Sequence, residues 1–124
     1  MTAAYLCIVI SLFIPIACAG YAKFTTRGSD NKAPRVFLAG LTGAGQRANY
    51  AQQNFYETFP AFAVGVVVAN LMGAEQWAMD LTAAVYVTAR ILYAVFYILD
   101  NSQMRSTMWI TSFGAIIALY FIGA

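Results

Sequence analysis

Residues 47–62 read RANYAQQNFYETFPAF, and within them Glu57 stands well inside a hydrophobic segment that runs from 48 to 72. A second segment, 76–99, holds Arg90 at a similar depth, in a chain that is 61% hydrophobic and only 10% charged. An ionisable side chain at the centre of a bilayer costs roughly 2.5–3.5 kcal/mol on insertion scales, so such residues face a bundle interior or a watery cavity. Around each charge the sequence places further polar groups. Arg47, Tyr50, Asn54 and Glu57 fall within roughly 80° of arc on a helix, and Tyr86, Arg90, Tyr93 and Tyr97 form a similar stripe. A protein that merely spans a membrane has no use for these stripes. They read as a site.

Outward from there, 124 residues suffice for one small domain, and a mean hydropathy of +0.67 argues against a soluble fold. Four stretches, 3–21, 48–72, 76–99 and 107–122, approach the roughly 20 apolar residues a span requires. Backbone groups in lipid must bond within their own segment, so the expectation is an all-α integral membrane protein, a bundle of four transmembrane helices in one domain over 1–124. Alternating ten-residue segments, the mark of a membrane barrel, are missing. Residues 17–19 are small and follow an apolar run, which also suits a cleaved signal, but no Lys or Arg precedes them and the run is too long, so a retained helix is expected. Cys7 and Cys18 lie roughly 16 Å apart along that helix, too far to pair, and read as small apolar residues. The chain has no histidine, and so lacks the commonest metal ligand and neutral-pH base.

Six of the seven basic residues, Lys23, Arg27, Lys32, Arg35, Arg47 and Arg105, fall in or beside the first and third connections. The positive-inside rule then makes those connections cytoplasmic and puts both termini outside. Gly28, Ser29, Asp30, Asn31 and Pro34 predict a loop, and Gly40, Gly43 and Gly45 a flexible linker before the second helix. Glu57 and Arg90 both sit about 14 Å from the cytoplasmic ends of their helices, which makes an ion pair between them a sound expectation, within a subunit or between subunits. Such a pair reads either as a bundle lock or as part of a ligand path. Pro60 frees the carbonyl of Tyr56 and predicts a kink. Ala61, Gly65 and Ala69 form a small-residue seam for close helix contact.

The pattern Arg47, Ala51, Asn54, Glu57, Pro60, Phe62, with Arg90, Tyr93, Tyr97, Arg105 and Ser106 downstream, resembles the signature of the MAPEG family of membrane glutathione enzymes. Length, helix plan and motif order agree over nearly the whole chain. The resemblance implies a homotrimer of four-helix subunits that binds glutathione as co-substrate in a cytoplasm-facing cleft near subunit contacts. It implies that Arg105 stabilises the glutathione thiolate, with Tyr97 and Ser106 beside it as catalytic candidates. Asn54, Glu57, Tyr93 and Tyr97 would hold the tripeptide. One departure stands out: the family's enzymes usually carry a second arginine where this chain has Tyr50.

The chemistry of glutathione fits the residue types. Its two carboxylates call for cations, which Arg47, Arg90 and Arg105 supply. Its ammonium calls for an acid, Glu57, and its peptide groups for Asn54, Tyr93 and Tyr97. A nearby arginine lowers a thiol pKa by favouring the charged form, so no protein base is needed. The second substrate would be a lipophilic electrophile or hydroperoxide arriving from the membrane. Two other readings share the fold size: a non-catalytic lipid-binding accessory protein, and a small proton-coupled exporter, although exporters of this size generally carry their acid in a first helix that here has none. No metal and no nucleic acid is implied.

Overall fold

The structure, a computed structural model, describes residues 2–26, 28 and 32–124. Among them are six helices and no strand: α1 (Ala3–Ser11), α2 (Phe13–Phe24), α3 (Pro34–Ala39), α4 (Gly43–Leu71), α5 (Gln76–Ile98) and α6 (Ser102–Phe121). Arg27, Ser29, Asp30 and Asn31, named above in the first connection, lie outside the described residues.

Helices α1 and α2 are a single rod interrupted at Leu12, whose own backbone stays helical. The interruption has a local cause. Pro15 has no N–H to offer the carbonyl four residues back, and just there the turn tightens, Leu12 N bonding Val9 O at 3.2 Å. Thr2 caps α1 by accepting from Tyr5 N. The rod's second amide donor, Ala4 N, goes to Asp80 Oδ1 on α5 at 2.8 Å, so an acid that sequence reading passed over ties two helices together.

Helix α4 begins at Gly43, five residues before the expected start, and takes in Gly43 and Gly45 rather than leaving them as linker. Its 29 residues span about 43 Å, more than a hydrocarbon core of about 30 Å. It also runs through Pro60 as one continuous helix. Helix α6 likewise starts five residues early, because Asn101 accepts from Met104 N at 3.1 Å and caps it. The short α3, opened by Pro34, had no counterpart in the sequence reading.

Among the described residues, two helices are by length and composition long and apolar enough to cross a membrane, Ala3–Phe24 (mean hydropathy 2.3) and Gln76–Ile98 (1.6). The other two expected spans are diluted by polar residues. Helix α4 carries Gln46, Arg47, Asn49, Gln52, Gln53, Asn54 and Glu57, and α6 opens on Ser102, Gln103, Arg105, Ser106 and Thr107. Large apolar side chains such as Phe13, Ile16, Leu71, Trp77, Leu81, Ile110 and Phe121 point outward.

Helix α5 packs against α1, α4 and α6, and α4 packs in turn against α2 and α6. The main core gathers Ala4, Phe62, Val66, Ala69, Met79, Ala83, Tyr86, Ile116 and Leu119. Phe62 and Tyr86 stack there at 3.8 Å between ring centroids. Of the small-residue seam, Gly65 and Ala69 are buried. A Cβ on Gly65 would meet Tyr120 at 3.1 Å and Leu119 at 3.2 Å, so the seam serves an α4–α6 contact within the chain. Cys7 and Cys18 are free and buried.

Candidate functional site

The stripes on α4 and α5 face each other. Arg90 lies at their meeting point and is only 1% exposed. Its Nη2 donates to Asn54 Oδ1 at 2.9 Å, and its guanidinium covers the Tyr93 ring at 4.1 Å. Nε and Nη1 of Arg90 are buried with no hydrogen-bond partner. Two unpaired donors on a buried cation are costly, and they leave the site able to bind an anion or another acceptor.

The expected Glu57–Arg90 ion pair is not formed within the chain. Asn54 stands between the two, accepting from Arg90 through Oδ1 and donating from Nδ2 to Glu57 Oε2 at 3.3 Å. The reason is rotational. Glu57 stands about 60° around the axis of α4 from Asn54 and is exposed, whereas Asn54 is half-buried and turned toward α5. A short amide reaches Arg90 from there, and the carboxylate meets the relay from its outer end.

From Arg90 toward the α5–α6 turn, the aromatic groups form a continuous run. Tyr93 meets Tyr97 edge-on at 5.6 Å, and the Arg105 guanidinium lies over Tyr97 at 4.4 Å. Each of two arginines therefore sits on a tyrosine face, a contact worth about 0.5–2 kcal/mol that also fixes where the cation points. Tyr50 joins the group from α4, 6.4 Å from Tyr97. Tyr86 is further in, where its hydroxyl shares a hydrogen bond with Thr58 at 3.2 Å and serves packing.

Tyr93, Arg105 and Ser106 line one cavity of about 250 Å³, completed by Trp109 and Ile110. Sequence reading missed Trp109 and Ile110, although each stands one helical turn beyond Arg105 and Ser106 and so on the same face. Trp109 is held by stacking on Phe113 at 5.1 Å. Arg47, taken from sequence as a ligand cation, is engaged elsewhere. Its Nε donates to Tyr97 O at 3.1 Å and Ile98 O at 3.2 Å, and its Nη2 to Ile98 O at 2.9 Å.

A larger groove of about 900 Å³ opens between α2, α3 and α4. Lys23 and Arg35 lie on its wall with Asn49, Gln52, Gln53 and Tyr56, beside the apolar Pro15, Ile16 and Leu38. Gln52 Oε1 is buried there with no hydrogen-bond partner.

No curated protein matched the chain. The MAPEG family model matches residues 1–124, the whole of it. With two opposed polar stripes on α4 and α5 and a match over its full length, the chain belongs to the MAPEG family, a family of integral membrane proteins.

Proposed function

We propose that this protein is a membrane glutathione-dependent transferase or peroxidase acting on lipophilic electrophiles or hydroperoxides. The observation that carries the reading is the shared cavity of Tyr93, Arg105 and Ser106, with the partly unpaired Arg90 stacked on the Tyr93 ring. With Tyr97 edge-on to Tyr93, this arrangement offers two cations, two phenols and a hydroxyl to a ligand rich in carboxylates and peptide groups. Asn54 and the exposed Glu57 extend it with an amide and an acid for the ligand's ammonium.

In the proposed mechanism Arg105 lies beside the glutathione sulfur and favours its thiolate. The thiol proton leaves to solvent, Ser106 and Tyr97 orient the sulfur, and Trp109 and Ile110 offer an apolar wall to the second substrate. In conjugation, the thiolate sulfur forms a bond to the electrophilic carbon as that carbon's leaving group departs with its bonding pair or, at an activated double bond, as the π pair moves away from that carbon and takes up a proton from solvent. In peroxide reduction, two glutathiones are oxidised to the disulfide while one hydroperoxide becomes alcohol and water. The assembly in this reading is a homotrimer of four-helix subunits.

The test is glutathione binding and turnover by the purified protein in detergent. Arg105→Ala is expected to leave the fold intact, at the cost of no more than its contact with the Tyr97 ring, while removing the ultraviolet thiolate signal of bound glutathione and lowering conjugation. A normal thiolate signal with normal turnover in that variant removes Arg105 from the mechanism. A second reading, a lipid-binding accessory protein, is favoured by Tyr50, whose ring packs beside Tyr97 in the place of the family's usual second arginine. Absence of both binding and turnover in the wild type decides for it.

A further inference from the structure

Arg47 is a cation at the edge of the proposed site, and a ligand carboxylate is the obvious partner for it. Its geometry says otherwise. The last turn of a helix leaves carbonyls that need donors. At the end of α5 the chain satisfies three of them itself: Leu99 N bonds Val95 O at 3.0 Å, Asn101 N bonds Phe96 O at 2.9 Å, and Asp100 N bonds Tyr97 O at 3.1 Å. Ile98 O receives no amide from the turn, and Arg47 supplies two donors to it, with a third contact to Tyr97 O. A guanidinium fork at a helix C-terminus also meets the negative end of the helix dipole.

The place that Arg47 clamps is the root of the α5–α6 hairpin. Tyr97 is part of it, and only Leu99, Asp100 and Asn101 separate α5 from α6. Asp100 adopts φ 61°, a left-handed conformation that a non-glycine residue keeps only where its surroundings hold it. Arg105 N bonds Asn101 O at 3.0 Å, so Arg105 is anchored to the same turn, and its guanidinium lies on the Tyr97 ring. The Tyr97–Arg105 contact thus stands on a joint that Arg47 fastens to α4.

We propose that Arg47 is a positioning residue: by bonding the Tyr97 and Ile98 carbonyls it fixes the angle at which Tyr97 and Arg105 present themselves to the thiol. This rests on the glutathione reading above. The experiment compares wild type, Arg47→Gln, Arg105→Ala and the double variant, using glutathione and its glycyl monoethyl ester, which lacks one carboxylate. Misplacement of catalytic groups by a distant change costs up to about a hundredfold in rate. Arg47→Gln is therefore expected to lower kcat by about ten- to a hundredfold, equally for both thiols, with KM little changed. The pH midpoint of the bound thiolate signal is expected to move upward, and the double variant to match Arg105→Ala alone.

A raised KM for glutathione that vanishes with the ester, at an unaltered pH midpoint, makes Arg47 a direct carboxylate contact and overturns the inference. So does a double variant worse than Arg105→Ala by the full effect of Arg47→Gln. Should Arg47→Gln fail to fold, Arg47→Lys takes its place. One amine cannot span both carbonyls as the fork does, so the same loss of kcat and upward midpoint are expected, and an unchanged midpoint overturns the inference. A wild type that binds neither thiol instead removes the glutathione reading, and this inference with it.

Discussion

Asn54 separates a buried cation from an exposed acid, and that placement changes what single substitutions should do. Because Arg90 Nη2 bonds Asn54 and not Glu57, Asn54→Ala removes the acceptor of a buried guanidinium that already has two unpaired nitrogens. Hydrogen bonds to charged groups are worth about 1.5–3 kcal/mol, and Asn54→Ala is expected to cost that much. Glu57→Gln keeps an acceptor for Asn54 Nδ2 at an exposed position and is expected to cost less than about 1 kcal/mol. Thermal unfolding of both variants in one detergent decides the matter. A larger loss for Glu57→Gln indicates that the acid meets its cation in a way a single chain does not provide, as in a contact between subunits. Sequence spacing had put Glu57 and Arg90 at the same depth, but depth alone does not say which side chain reaches.

Among the elements, α4 carries both chemistry and packing, divided along its length. Its first half holds Arg47 and Asn54, and its second half the seam centred on Gly65. Leu119 and Tyr120 of α6 approach that glycine so closely that even a methyl group is tight. Gly65→Leu is therefore expected to cost about 1–3 kcal/mol by overpacking, or to force α6 away from α4. A lower unfolding temperature checks this, and an unchanged one means that the contact is looser than it stands here. Periodicity exposed the seam but not its partner, since small residues at every fourth position suit any neighbouring helix. The helix starts escaped the sequence reading for a different reason. Glycine and polar residues look like linker by composition, yet α4 and α6 extend into them, with Asn101 capping α6 and the α4–α5 contact holding Arg47 in place.

For the whole molecule, two expectations concern orientation and assembly. A lone cysteine placed at Lys32, in a variant without Cys7 and Cys18, is expected to be labelled only from the cytoplasmic side, because basic connections stay there. Labelling from the outside alone inverts the protein in the membrane and moves the site across with it. The detergent-solubilised protein is expected to have the mass of a trimer, and a monomer removes any site shared between subunits. Composition and periodicity by themselves determined that this chain is helical, that it belongs in a membrane, and that polar residues gather on one stripe of each of two helices. These follow from the cost of exposing backbone and charge to lipid, which any arrangement of the chain must meet. Only the tertiary structure decided that Asn54 rather than Glu57 bonds Arg90, that Arg47 caps α5, and that Trp109 joins Arg105 around one cavity. Such contacts turn on differences of an ångström or two between helices, set by how the side chains of α4, α5 and α6 interlock, and one-dimensional spacing does not carry that information.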